Sequence, residues 1–301
     1  MTKTGNIIGV DLGGTNIRVG KVVDGKVVEI SKSITPLDGT ENDVLGKLYT
    51  TISDCFDADT KSIGIGVPSV VDTQKGIVYD VVNIPSWKEV ALGDLLYQKF
   101  QVPVFINNDS NCFAVGEKIY GKGKGFQNIV GMTIGTGLGL GLIINGQLYE
   151  GRNCCAGEFG MLPYLNENYE FYCSGQFFSK FNSGDAADMH EKALSGDPNA
   201  IQLYQNFGKH IGIVIKSILY AYDPDIVLIG GSLSKAFDLY KEAMYDEISD
   251  FAFRSTLQNL KIEISELAES AILGAAALPT NALQSSLPGD VLSRLFHLSN
   301  I

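Results

Sequence analysis

The chain has 301 residues, 45% hydrophobic and 19% charged, with a net charge of −11. That length gives two domains a core each, and that apolar content excludes a disordered chain. The acidic balance argues against nucleic acid, which is held through clustered Lys and Arg; the lysines around 118–124 make only a solvated helix end.

Met1 to Asn6 is short and polar, with no signal-peptide core, and leads straight into a strand. Residues 7–30 carry a glycine turn, Ile8-Gly9-Val10-Asp11-Leu12-Gly13-Gly14-Thr15, and a hairpin turn at Asp24-Gly25. Val44, Leu45, Leu48, Tyr49, Ile52 and Phe56 have a helical spacing over 42–56. A buried strand is expected at 62–67, stopped by Pro68, then a loop and short strand over 71–79. A helix at 92–100 and a strand at 102–106 lead to a helix at 109–120, with Asn107, Asn108 and Asp109 at its capping edge.

The second half opens at Asn128 with Val130-Gly131-Met132-Thr133-Ile134-Gly135-Thr136-Gly137, and its hairpin turns at Asn145-Gly146. Residues 151–169 read as a loop, and 203–222 as the clearest helix, ended by Asp223-Pro224. A strand at 225–229 ends in Gly230-Gly231. A helix over about 235–251, a strand at 261–265, a helix from 271 to 278 and a partly helical tail at 291–298 complete the pattern. No apolar run is long enough to span a membrane, and none of the five cysteines forms a C-x-x-C pair. A cytoplasmic protein with reduced thiols and no membrane partner is expected.

The two glycine segments are copies of one design. A one-residue gap aligns Asp24-Gly25 with Asn145-Gly146 and Gly20 with Gly141. Asp-Gly and Asn-Gly are favoured hairpin turns because both central positions need positive φ. Strands interleaved with helices give an α/β class. The duplication puts the domain boundary near 108–128, drawn as 1–113 and 114–271, with a C-terminal helix at about 272–301 joining the first domain. Glycine turns expose N–H groups that can wrap an anion, so two related turns suggest a phosphate chain held between two domains.

Six motifs in order then carry a family resemblance. Asp11 to Arg18 resembles the first phosphate motif of the ROK family of repressors, open reading frames and sugar kinases. Asn108-Asp109-Ser110-Asn111 is similar to its sugar-and-base motif, and Gly135-Thr136-Gly137-Leu138-Gly139 to its second phosphate motif. Ala156-Gly157-Glu158-Phe159-Gly160 resembles its sugar loop, Asp225 to Gly231 its adenosine motif, and Leu273-Gly274-Ala275-Ala276 its C-terminal helix. The resemblance implies a duplicated actin-like ATPase (ribonuclease H-like) fold, with two domains around a cleft. It also implies ATP, Mg²⁺, a sugar substrate and a homodimer.

A sugar hydroxyl needs a base to accept its proton as phosphorus is attacked, and Asp109 is the candidate. A plain helix cap is its bland alternative. By resemblance, Asp11 holds Mg²⁺ through water; a buried aspartate bonded to the glycine turn is the alternative. Gly13, Gly14, Thr15, Arg18, Gly135, Thr136, Gly137, Gly230 and Gly231 are the remaining residues expected at ATP, against a reading of them as ligand-free turns. Asn108, Asp109, Glu158 and Glu170 are the implied sugar contacts, with Gly66 and Asn83 weaker; exposed loop acids are the alternative for the two glutamates.

The chain departs from the pattern after the sugar loop. Most relatives carry a His followed by a zinc knuckle there, whereas this chain has Met161 and no Cys before Glu170. Structural zinc normally needs four nitrogen or sulfur ligands, so no zinc is expected. His190, His210 and His297 are scattered, and His210 reads as structural. The expected activity is transfer of the ATP γ-phosphoryl group to a hexose hydroxyl at O6, glucokinase-like. An N-acetylmannosamine or other N-acetylhexosamine kinase is the alternative. A sugar-responsive repressor is disfavoured because the first strand starts at about residue 7, leaving no room for a helix-turn-helix. A non-catalytic sugar sensor would not need Asp109, Asp11 and both phosphate loops.

Overall fold

The computed structural model describes residues 5–81, 83–181 and 184–284, so the expected tail helix at 291–298 and His297 lie outside the described residues. The chain folds as two compact units. One takes the chain up to Lys124, Gln147–Ala156 and the segment from Leu267 on; the other takes Gly125–Gly146 and Gly157–Glu266.

In the first unit, β1 (Asn6–Leu12), β2 (Asn16–Val23) and β3 (Lys26–Ile34) form an antiparallel meander. Asp24 (φ 48°) and Gly25 (φ 73°) both take the left-handed conformation that this two-residue turn requires. After α1 (Glu41–Cys55), β4 (Thr60–Val67) adds to β1 in parallel. A small sheet of β5 (Val70–Asp72), β6 (Ile77–Tyr79) and β7 (Glu89–Val90) follows, then α2 (Leu92–Phe100). Next, β8 (Val104–Asn108) pairs in parallel with β4 and runs directly into α3 (Asp109–Ile119). The sheet order is β3-β2-β1-β4-β8.

Both faces of this sheet are covered. Ile8, Val10, Leu12, Ile17 and Val19 join Val44, Leu48 and Ile52 of α1 in one core cluster. α1 starts at a capping box between Thr40 and Asp43. The other face meets α10 (Ser270–Gln284), and here the sheet is flattened by glycine. Gly9 pairs with Gly20 on β2 and with Gly64 on β4. A Cβ on Gly9 would stand 2.2 Å from the Ile272 carbonyl oxygen, and one on Gly64 would stand 1.9 Å from that of Ala275. The helix backbone therefore rests on the strand backbone.

In the second unit, β9 (Ile129–Ile134) and β10 (Leu138–Ile144) repeat the antiparallel pair, down to a facing Gly131 and Gly141. Asn145 (φ 52°) and Gly146 (φ 80°) repeat the turn, and the next residues, Gln147–Leu148 (β11), belong to the first unit. The segment expected as a loop contains a short hairpin, β12 (Pro163–Tyr164) with β13 (Glu167–Asn168). Three helices follow, α4 (Tyr169–Tyr172), α5 (Gly175–Phe181) and α6 (Ala186–Leu194). Then α7 (Pro198–Tyr222) starts at an Asp197 cap with Pro at its first position, five residues ahead of the expected start. Gly208 of α7 lets the Tyr240 carbonyl of α8 (Phe237–Ile248) come close; a Cβ there would meet it at 2.3 Å. β14 (Ile226–Gly230) pairs in parallel with β9, and after α9 (Arg254–Asn259) β15 (Lys261–Ile264) extends the sheet. The order β10-β9-β14-β15 repeats β2-β1-β4-β8. No helix of the described residues is long and apolar enough to cross a membrane.

Candidate active site

The chemistry-bearing residues of the first unit gather where its parallel strands end, the usual ligand-binding edge of an open α/β sheet. Asp11, near the end of β1, faces Arg18 on β2 and Gly66 on β4; Gly66 in turn faces Asn107 on β8, and Val67 faces Asn108. Asp109 comes next, as the first residue of α3. A Cβ on Gly66 would lie 3.4 Å from the Asp109 Cα and 3.2 Å from the Cys112 sulfur, so the glycine lets α3 start close against β4.

Asn108, not Asp109, is the helix cap. Its Oδ1 accepts from the Ser110 and Asn111 amides at 2.9 and 3.4 Å, and its Nδ2 donates to the Ser69 carbonyl at 3.4 Å. Asp109 Oδ1 accepts from the Ser110 amide at 2.8 Å, while the residue keeps a partly exposed side. Asp11 is packed deeply enough for burial to raise its carboxyl above the ordinary aspartate range, and Arg18 pulls it partway back. The Arg18 guanidinium stands 3.6 Å from Asp11 and also bonds the Glu269 carboxylate.

The first glycine turn is held from behind. The Thr35 hydroxyl donates to the Gly13 carbonyl at 2.8 Å, and the Gly13 amide to the Asn16 carbonyl at 2.9 Å. Neither Gly13 nor Gly14 has positive φ. Gly14 is needed for space: a Cβ there would fall 2.4 Å from that of Asn83. Thr15 stands exposed at the tip.

The second unit repeats this turn. The Gly135 amide bonds the Gly137 carbonyl at 3.0 Å, and Thr136 is exposed. Glu170 closes the turn: its Oε2 accepts from the Leu138 amide at 3.1 Å, and its Oε1 from the Gln176 side chain at 3.1 Å. Glu158 titrates above the ordinary glutamate range, through lost hydration first and the Glu170 carboxylate second. Gly231 (φ 85°) turns the chain after β14, where a Cβ would strike the Ile134 carbonyl at 2.3 Å. Beside these turns lies a cavity of about 530 Å³, lined among others by Thr136, Gln176, Ser179, Lys180, Ser232 and Leu233.

Of the residues expected at the site, the first unit brings together Asp11, Arg18, Gly66, Asn108 and Asp109, and seats Gly14 on Asn83. The second brings Gly135, Thr136 and Gly137 to Glu170, with Glu158 close enough to feel its charge. Sequence reasoning missed Gln176, Ser179, Lys180 and Ser232 around the cavity, since polar residues in short helices carry no periodic signal. It also missed Glu150, whose carboxylate binds Asn107 at 2.7 Å. Among the described residues, no group of three His, Cys, Asp or Glu side chains is placed to hold a metal ion. A site built on one carboxylate still fits Mg²⁺, which keeps several waters and takes hard oxygen ligands.

The model of the ROK family matches residues 7–282. A glucokinase from Thermotoga maritima is 31% identical, with the match covering 90% of this chain and 96% of the relative. A structure of a ROK family glucokinase from Streptomyces griseus, in complex with glucose and AMPPNP, superposes with a TM-score of 0.77 at 26% identity, covering 91% of this chain and 99% of that one. A xylose repressor from Bacillus subtilis is 29% identical over 69% of this chain and 58% of its own length.

Proposed function

This chain belongs to the ROK family, and on that premise we propose that it is an ATP-dependent sugar kinase. The family's fold is the actin-like ATPase fold, present here as two units of matching strand order. The reaction is transfer of the ATP γ-phosphoryl group to a hexose hydroxyl at O6, glucokinase-like. The observation that carries this reading is Asp109, a partly exposed carboxylate fixed at a strand-to-helix junction, one strand end away from Gly66 and two from Asp11.

Asp109 accepts the hydroxyl proton as the oxygen attacks phosphorus. Asn108 holds the helix entry and, with Glu158, Glu170, Gly66 and Asn83, belongs to the sugar-binding set. Glycines 13, 14, 135 and 137 with Thr15 and Thr136 offer backbone and hydroxyl donors to the phosphates, and Gly230 and Gly231 lie toward the adenosine. Arg18 keeps Asp11 in place. Asp11 is the residue that would hold Mg²⁺ through water, and the ion, when bound, neutralises charge on the transferred group. Positioning and neutralisation supply most of the catalysis that phosphoryl transfer needs.

A coupled assay of ADP release tests the proposal across glucose, mannose, fructose, glucosamine and the N-acetylhexosamines, N-acetylmannosamine included. Sugar-dependent turnover in the ordinary kinase range of about 1–100 s⁻¹ is expected. The repressor match favours a second reading, a sugar-responsive regulator. Sugar binding without ADP release from any acceptor would favour that reading or a non-catalytic sensor.

A further inference from the structure

Next to Asp109 begins a chain of polar groups, buried at its asparagines, that the proton transfer itself does not use. Asn107, the last residue but one of β8, and Asn111, on the first turn of α3, are 5% and 1% exposed. Asn107 Oδ1 accepts from the Asn108 amide at 2.9 Å, from Asn111 Nδ2 at 2.9 Å and from the Cys154 thiol at 3.5 Å. Asn107 Nδ2 donates to Glu150 Oε2 at 2.7 Å, and Glu150 Oε1 accepts from the Thr73 hydroxyl at 2.9 Å.

An asparagine amide can turn over in its site, exchanging donor for acceptor. Two groups forbid that here: the Asn108 N–H, which can only donate, keeps Oδ1 on the entry of α3, and the Glu150 carboxylate, which accepts, keeps Nδ2 on itself. The arrangement leaves Asn111 Oδ1 buried with no partner, a penalty that the fold sustains to keep both amides turned this way. Asn107 and Asn111, each two residues from Asp109 in the chain, are thus tied, the second through the first, to one carboxylate from a distant segment.

We propose that Glu150 is a positioning residue for Asp109, acting through the Asn107 amide on the backbone that carries the base. This rests on the kinase reading given above. Glu150→Ala removes the acceptor and leaves Asn107 Nδ2 a buried donor without its partner, so the amide is no longer anchored at that end. Glu150→Gln keeps the tie: its Oε1 accepts from Asn107, and its Nε2 donates to the Thr73 hydroxyl, which serves as acceptor as readily as donor.

Steady-state kinetics of the full chain test this with the wild type and both variants, well below their melting midpoints. Glu150→Ala is expected to lower kcat at least ~10-fold with the sugar KM within ~3-fold, the mark of a group felt in the transition state alone. Glu150→Gln is expected to retain at least about half of the wild-type kcat, since it preserves the hydrogen bonds. A wild-type kcat in Glu150→Ala would overturn the proposal. So would equal losses in both variants, which would assign the effect to charge and not to the amide's orientation. Absence of ADP release from the wild type with every sugar would remove the kinase reading, and this proposal with it. Wild-type turnover with unaffected variants would remove the positioning role alone.

Discussion

Glu170 Oε2 accepts a hydrogen bond from the Leu138 amide at 3.1 Å, so one carboxylate closes the glycine turn that opens β10. The same oxygen fills the space beside Gly137, where a Cβ would lie 2.5 Å away. Glu170→Ala leaves that amide without its acceptor and loosens the turn. A lost hydrogen bond of about 1 kcal/mol raises the KM for ATP by roughly 5-fold. Initial-rate measurements with each substrate varied in turn check this; a rise in the sugar KM beside it reflects the place of Glu170 in the sugar-binding set, and an unchanged ATP KM would show that the turn does not depend on Glu170.

Asp109→Asn keeps the shape of the α3 entry and removes the proton acceptor. Turnover falls by at least ~10²-fold with sugar affinity broadly kept. Equilibrium sugar binding by calorimetry, set beside the kcat measurement, separates the two effects. Near-normal turnover would take Asp109 out of the mechanism.

Two glycines respond to alanine in opposite directions. At Gly274 the new methyl would meet the Cys112 carbonyl at 1.8 Å, backbone against backbone, so α10 and α3 must part. Urea unfolding should show a loss of about 1–3 kcal/mol or more, the scale of overpacking. Gly46 lies inside α1 with nothing within 4 Å of a new methyl. Gly46→Ala should gain up to about 1 kcal/mol from helix propensity.

His210 sits on α7 with its Nδ1 3.0 Å from the Tyr164 hydroxyl and its ring against Tyr172 and Phe177. Burial lowers its pKa below the usual 6.5; Glu247 raises it again, and Lys209 lowers it. The neutral ring therefore contributes stability that is present above pH 6.5 and is lost as pH falls through the depressed value. His210→Gln should melt about 2–4 °C below the wild type near pH 8, for a lost contact of about 1 kcal/mol. The gap should shrink as the pH approaches 5, and a gap constant with pH would mean that the ring does not titrate in this range.

The repeat was the most legible part of the fold, because it is written in residues with one job. Asp24-Gly25 and Asn145-Gly146 could hardly turn otherwise, and Gly9 with Gly20 and Gly131 with Gly141 marked the same rung of two ladders. The α2 helix at 92–100 was read to the residue, and the structure buries its Leu92, Leu96 and Phe100. α6 was missed because only Met189 and Ala193 are buried on it, too few for a period to register. The hairpin within 151–169 pairs only two residues per strand and is pinned by Tyr164 stacked on Tyr169, a tertiary contact that no local pattern announces. At the site, Asp109 could be named from its neighbours in sequence. Glu150 could not, because its tie to Asn107 spans 43 positions.

The glycine bed beneath α10 also bears on the order in which the molecule can assemble. Gly9 and Gly64 are made early during synthesis, but their covering residues, Ile272 and Ala275, are made late. Until the ribosome has released that helix, one face of the first sheet waits uncovered. The segments from Gly125 to Gly146 and Gly157 to Glu266 form one compact unit, every residue of which is made before Leu267. The half encoded in the middle of the message is thus placed to close before the half that begins it, and a nascent chain stalled ahead of Ser270 would carry a native second unit beside an unfinished first.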